Sequence, residues 1–222
     1  FIYRSMQKKI ATQTAVDVAA RGRGRPRAFD RDAALGQATR LFWSKGYGAT
    51  SIADLTEALG IGSPSLYAAF GSKEALYAAA LDHYRDNYEP LFWAGFMTAP
   101  TARDAVRALL MDSAATLGGC VSDIPHGCMV ALSAVGSEGH AELGETVRAA
   151  RAVGLERLKS RLKQAKSDGD IPRSADIHAL ARFVQTVQLG MSILARDGAS
   201  RAELESVAHV AMSGWDAQLA RC

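Results

Sequence analysis

The sequence predicts an all-α fold, on three observations. Ala, Leu, Glu, Arg and Lys are abundant, while prolines number only six and Val, Ile and Tyr rarely cluster, a balance that favours helices over strands. No run of four to eight residues alternates cleanly between apolar and polar. Apolar residues instead recur at helical spacing along most of the chain. At 222 residues, 48% hydrophobic and 22% charged, the chain is long enough to bury a large core without disulfides or metal.

Residues 1–27 read as a basic, flexible arm that ends in RGRGRPR, where Gly22, Gly24 and Pro26 block a helix. The first 29 residues carry seven Lys and Arg against Asp17, a net +6, so the remaining chain is net −3 within an overall +3. A mildly acidic body with a basic arm points to a polyanionic partner met by the arm, and a solvated tail is the plainer alternative.

The first helix is predicted after Asp30, a good N-cap, with Leu35, Ala38, Leu41 and Phe42 on one face and Gly46 just past its end. Ser51 and Asp54 approximate a capping box for a second helix of two turns, with Ile52, Leu55 and Leu59 turned inward. Gly60 offers a left-handed stop. Gly62 or Ser63 caps a third short helix, and Pro64 lies in its first turn, where a missing N–H costs nothing. Leu66 and Phe70 anchor that helix, Gly71 ends it and Ser72 caps the fourth. Two helices this short are unstable alone. Joined by a tight turn and docked on a preceding helix, they form a helix-turn-helix that presents one N-terminal end to a major groove.

After Pro90 the chain stays helical. Residues 101–118 carry Val106, Leu109, Leu110 and Leu117, and a short piece begins at Pro125. A long helix from about Glu138 to Ser167 follows, stopped by Asp168-Gly169 and Pro172. Of the two closing helices, one carries Leu180, Val184, Val187 and Met191, and the other Leu204, Ala208, Ala211 and Trp215.

The segment from Gly24 to about Leu76 resembles the TetR family of bacterial transcriptional regulators. Phe42 and Gly46-Tyr47 match the end of that family's first helix, Thr50-Ser51 with Ile52 and Leu55 its second, and Leu66-Tyr67, Phe70, Lys73 and Leu76 its recognition helix and the opening of the fourth. The resemblance implies a three-helix DNA-binding domain over 28–75 and a helical ligand-binding and dimerisation domain over 76–222. It implies phosphate contacts from Thr50, Ser51, Tyr67 and Lys73, and base contacts around Ser63, Pro64, Ser65 and Ala69. Arg23, Arg25 and Arg27 are expected in the minor groove.

The expected partners are double-stranded operator DNA, a second copy of the chain and a small-molecule effector. Tyr84, Tyr88, Trp93, Phe96, Met97, Cys128, Met129, Phe183, Gln188 and Met191 are the candidate effector-pocket residues, with plain core as the alternative. For the dimer interface the candidates are Val184, Val187, Ala208, Ala211 and Trp215, and an intramolecular core explains the same stripes. One helix-turn-helix reads few bases and two-fold symmetry doubles them, which favours the homodimer.

No cofactor or metal is expected. Cys120 and Cys128 lie eight apart with only His126 between, which is not a zinc spacing, and free Cys is usually a small buried hydrophobe. No HExxH, nucleophile elbow, P-loop or dinucleotide-binding glycine pattern is present, so an enzyme is not expected. No stretch approaches a membrane span and the opening FIYRSMQKKIATQ lacks an apolar signal core, so a cytoplasmic location without membrane contact is expected. The function expected is a ligand-released repressor on a palindromic operator. A DNA-coating architectural protein or an all-helical enzyme are the alternatives, and the net acidic body weighs against the first.

Overall fold

Ten helices and no strand make up the described residues of the computed structural model, which are 29–119 and 124–222. Three helices precede the long body: α1 (Arg31–Lys45), α2 (Ile52–Leu59) and α3 (Ser63–Phe70). They continue into α4 (Lys73–Asn87), α5 (Pro90–Thr98), α6 (Ala102–Leu117), α7 (Met129–Leu132), α8 (Ala141–Asp168), α9 (Ile177–Arg196) and α10 (Arg201–Leu219).

Local chemistry sets most of these boundaries. Ser51 and Asp54 form a reciprocal capping box at α2, and Ser200 with Glu203 forms another at α10. Ser72, Thr101 and Asp176 each accept a backbone N–H at the start of α4, α6 and α9. Gly60 stops α2 at φ 65°, a conformation that a side chain resists. The long helix begins three residues later than the sequence pattern predicts. Gly139, at φ 94°, cannot continue a right-handed helix backwards, so α8 opens after His140.

Arg31–Cys222 fold as one compact unit. Its core runs without a break from Phe42, Leu55 and Leu66 through Tyr77 and Leu109 to Leu158, Leu162 and Trp215, all at most 2% exposed. At roughly 1.5–3 kcal/mol for each large apolar side chain, burial on this scale dominates the stabilising side of folding. Aromatic edges knit α1 to α4: Phe42 meets Tyr77 edge-on with ring centroids 5.1 Å apart, and Trp43 meets Tyr84 at 4.8 Å. Among the described residues no helix is long and apolar enough to cross a membrane.

Candidate nucleic-acid interface

Leu66, fully buried, and Phe70, 6% exposed, hold α3 to the core and leave Ser63, Pro64, Ser65, Tyr67 and Ala68 in solvent. No side chain caps the start of α3, because its N-cap is Gly62. Its first N–H groups therefore remain open to an external acceptor. The helix carries no charge of its own, so its charged surroundings come from neighbours. Arg31 donates from Nε to the carbonyl of Ala69 at 3.4 Å and lies over the Phe70 ring at 5.0 Å. Lys73 sits with Nζ 4.2 Å from the centroid of the Tyr47 ring.

The supporting contacts are specific. Asp54 accepts from the backbone N–H of Ser51 at 2.8 Å and pairs with Lys45 at 2.7 Å, tying the end of α1 to the start of α2. Lys45, then Ser51, hold the Asp54 carboxyl well below the usual carboxylate range. Tyr47, at 3% exposure, donates its hydroxyl to Glu74 Oε1 at 2.8 Å, which fixes the first turn of α4. Burial, and then Glu74, push the Tyr47 phenol above its ordinary range.

Among the expected DNA-contacting residues, Ser51, Ser63, Pro64, Ser65 and Tyr67 are exposed on or beside this face, and Lys73 is half-buried at its edge. Thr50 is not available. It is fully buried and donates its hydroxyl to the carbonyl of Gly46 at 2.6 Å, so it holds the turn between α1 and α2. Ala69 is half-buried against the core, and Ala68 is the exposed alanine. Arg23, Arg25 and Arg27 lie outside the described residues. Arg31 was not anticipated from sequence. A lone arginine in the first turn of a helix gives no signal until the fold brings it against α3.

A cavity of about 320 Å³ opens between α4, α5, α8 and α9. Tyr84, Trp93, Cys128 and Gln188 line it as expected, joined by Gln185 and Arg151. The other pocket candidates lie elsewhere. Phe96, Met129 and Met191 are buried in the core, Tyr88 stacks on Tyr84 outside the cavity wall, and Met97 is 66% exposed. Phe183 borders a second cavity, of about 370 Å³, with Gly214, Trp215 and Gln218. Phe96, Met97, Met129, Phe183 and Met191 each share a helix with a true lining residue, and Tyr88 caps the end of α4 just beyond Tyr84. Burial pushes the Cys128 thiol up, and Tyr84 donates its hydroxyl to Sγ at 3.1 Å. Cys120 lies outside the described residues. Among those described, no group of three or more His, Cys, Asp or Glu side chains is placed to hold a metal ion.

The expected interface residues Val184, Ala208, Ala211 and Trp215 are buried within the chain itself, and Val187 is half-buried. They are core. The exposed large apolar side chains of α9 and α10 are Phe183, Ile193, Leu194 and Val210, with Val210 at 74% exposure. Phe183, Val187, Gly190 and Leu194 follow one another at spacings of four, three and four, which places them on one face of α9.

Comparison with known proteins agrees with this architecture. Residues 34–80 match the family described as bacterial regulatory proteins, tetR family. The chain is 38% identical over 198 residues to the HTH-type transcriptional repressor ComR of Escherichia coli (strain K12), covering 88% of this chain and 93% of the relative. It is 51% identical over 61 residues to the HTH-type transcriptional repressor BdcR of the same organism, covering 28% of this chain and 31% of that one. A cysteine mutant of the TetR family transcriptional regulator CifR, solved with 26bp double-strand operator DNA, superposes with a TM-score of 0.80 at 38% identity, over 86% of this chain and 100% of that one. The chain belongs to the TetR family of DNA-binding transcriptional regulators, which are not enzymes.

Proposed function

We propose that the protein is a homodimeric repressor that grips a two-fold operator through two copies of α3 and leaves it when a small effector fills the cavity beside α4. The observation that carries this reading is the exposed face of α3, with Ser63, Pro64, Ser65 and Tyr67 presented on a helix whose Leu66 and Phe70 are locked in the core. Repression has the support of ComR and BdcR, both named repressors, and the operator has the support of the CifR complex.

In this reading residues 1–27 are the basic arm, 28–75 the DNA-binding domain and 76–222 the effector and dimer domain. Ser63, Ser65 and Ala68 face base edges, while Ser51, Tyr67 and Lys73 face phosphates. The α9 stripe Phe183, Val187, Gly190 and Leu194, exposed at Phe183 and Leu194 and half-buried between them, forms the two-fold contact with Val210 of α10. The effector acts through α4. That helix holds the DNA-binding end through Leu76 and Tyr77, both at most 2% exposed, and lines the cavity with Leu81 and Tyr84. A ligand shifts this equilibrium only by binding the released conformer more tightly than the DNA-competent one.

The test is selection of bound duplexes from a random library, followed by titrations of the enriched site at two salt concentrations. An enriched palindrome bound by two protomers supports the reading. Binding without sequence preference at either salt concentration points to a DNA-coating protein. Release of the selected duplex by compounds that bind the cavity then tests the effector step by itself.

A further inference from the structure

The cavity between α4, α5, α8 and α9 is unevenly charged. Four of its lining residues are acidic or basic: Asp82, Arg85, Glu89 and Arg151. Three of them have a counter-charge. Arg85 pairs with Asp82 at 2.7 Å, and Glu89 pairs with Arg157 at 2.8 Å. Among the described residues Arg151 has no carboxylate partner. Its guanidinium donates only to backbone: Nε to Val130 O at 3.0 Å, and Nη2 to Ala131 O at 3.1 Å and Ser133 O at 2.7 Å. Those carbonyls solvate the cation without cancelling it, and Nη1 makes no hydrogen bond to the described residues.

The remaining wall is largely apolar, with Leu81, Phe92, Trp93, Leu117 and Leu158 on it. Its polar side chains are engaged with protein partners. Tyr84 donates to Cys128, Gln188 donates to Ser113 Oγ at 3.0 Å, and Gln185 donates to the carbonyl of Arg151 at 3.0 Å. The guanidinium carbon of Arg157 lies over the Trp93 ring, 4.5 Å from its centroid. A cavity of 320 Å³ corresponds to about ten waters of liquid. That suits a one- or two-ring molecule.

We propose that this cavity takes a small aromatic monocarboxylate, with its ring against the apolar wall at Trp93 and its carboxylate on Arg151 Nη1. The proposal rests on the cavity being the effector site. A neutral molecule of the same shape displaces water from Nη1 and gives nothing back, which leaves a cation edge desolvated. A carboxylate replaces that water with a charge-assisted hydrogen bond and supplies the missing counter-charge. An amine would meet Arg151 as a like charge.

The test uses the full chain and a matched pair of probes near neutral pH, 2-naphthoate and the neutral ketone 2-acetonaphthone, by isothermal titration calorimetry. Naphthoate should bind at least about tenfold more tightly than the ketone. In Arg151→Gln the two affinities should converge. Because that variant also loses three bonds to the segment around α7, Arg151→Lys serves beside it, and should keep the order of the pair. A ketone bound as tightly as naphthoate by the unaltered protein overturns the proposal but leaves the cavity as a site for neutral effectors. A naphthoate preference that persists in a folded Arg151→Gln protein overturns it by placing the carboxylate elsewhere. If neither probe binds, the proposal is likewise overturned, and screening for release of the operator decides the effector reading independently.

Discussion

Arg196, in the last turn of α9, reaches the end of α1 and donates to the carbonyl of Trp43 from Nη2 at 2.7 Å. The same guanidinium donates to Ser44 O at 2.9 Å and His126 O at 3.0 Å. Trp43 answers by donating its indole N–H to Gly127 O at 2.9 Å. These four bonds join the helix behind the DNA-binding face to the loop that carries Cys128 into the cavity wall. The last carbonyls of α1 have no partner within their helix, so Arg196 also acts as a C-terminal cap supplied from far along the chain.

Replacing Arg196 with Met keeps the stem and removes all three donors. Hydrogen bonds from charged donors contribute about 1.5–3 kcal/mol each when measured singly, and the freed carbonyls regain some water, so a loss of about 2–3 kcal/mol is expected. Urea unfolding monitored by circular dichroism reads it directly. A change below about 0.5 kcal/mol, the size of an ordinary surface substitution, would show that the clip contributes little.

Lys73 and Ser65 should separate by what they do to DNA binding. Lys73→Ala should weaken binding to every sequence alike and make the logarithmic salt dependence shallower by about 1 for each protomer's lost phosphate contact. Ser65→Ala should instead change which base is preferred at one position of each half-site, with the salt slope unchanged. Tyr67→Phe should behave like Lys73→Ala in affinity but keep the slope, since it removes no charge. If Ser65→Ala weakens all duplexes equally, its assignment to a base edge is wrong.

Much of the DNA-binding end was legible because its signals are local. Ser51, Asp54, Gly60, Gly62, Pro64 and Ser72 each act within four residues of themselves, and all take the conformations that their chemistry predicts. Thr50 shows the limit. Its hydroxyl has a backbone acceptor four residues back, and nothing in the residue type says whether it will turn to that carbonyl or to a phosphate. The cavity was half legible for another reason. Met191 and Gln188 sit three apart on α9, yet one is fully buried in the core and the other lines the cavity, so periodicity alone cannot divide them. The closing helices misled most. Both α9 and α10 carry apolar residues on two faces, and size does not tell them apart: Trp215 and Ala208 went to the chain's own core, while Phe183, Leu194 and Val210 stayed outside.

That division gives a paired prediction. Val210→Glu places a charge on a side chain that is 74% exposed, so the folded protomer should tolerate it, but a two-fold contact through α9 and α10 should not. Sedimentation should show monomers with unchanged helicity. Trp215→Ala empties a site that is 1% exposed and should cost roughly 3–5 kcal/mol of stability, read by thermal or urea unfolding. Dimers that survive Val210→Glu, together with Leu194→Glu, would move the interface off this face.

Three tyrosines should make the fold sensitive to alkali. Burial is the largest cause pushing up the phenols of Tyr47, Tyr77 and Tyr84, with Glu74 adding at Tyr47 and the Cys128 sulfur at Tyr84. A phenol whose folded pKa lies above the unfolded value of about 10 stabilises the fold fully below that value. The contribution is lost as pH rises through the folded pKa, because the unfolded chain sheds its proton first. Between the two values, each phenol still protonated in the fold lowers the unfolding free energy by about 1.4 kcal/mol per pH unit. Stability should therefore be insensitive to these groups near neutrality and fall steeply above about pH 10. Tyr84→Phe gives the cleanest check, since it loses a hydroxyl that donates to the Cys128 sulfur and meets the Met129 backbone, and keeps the ring against Trp43. Its unfolding free energy should lie close to the parent protein's near neutral pH and decline less steeply in alkali, measured by urea titration at stepped pH. Equal slopes for parent and variant would mean that the Tyr84 phenol ionises in the folded state as readily as in the unfolded chain.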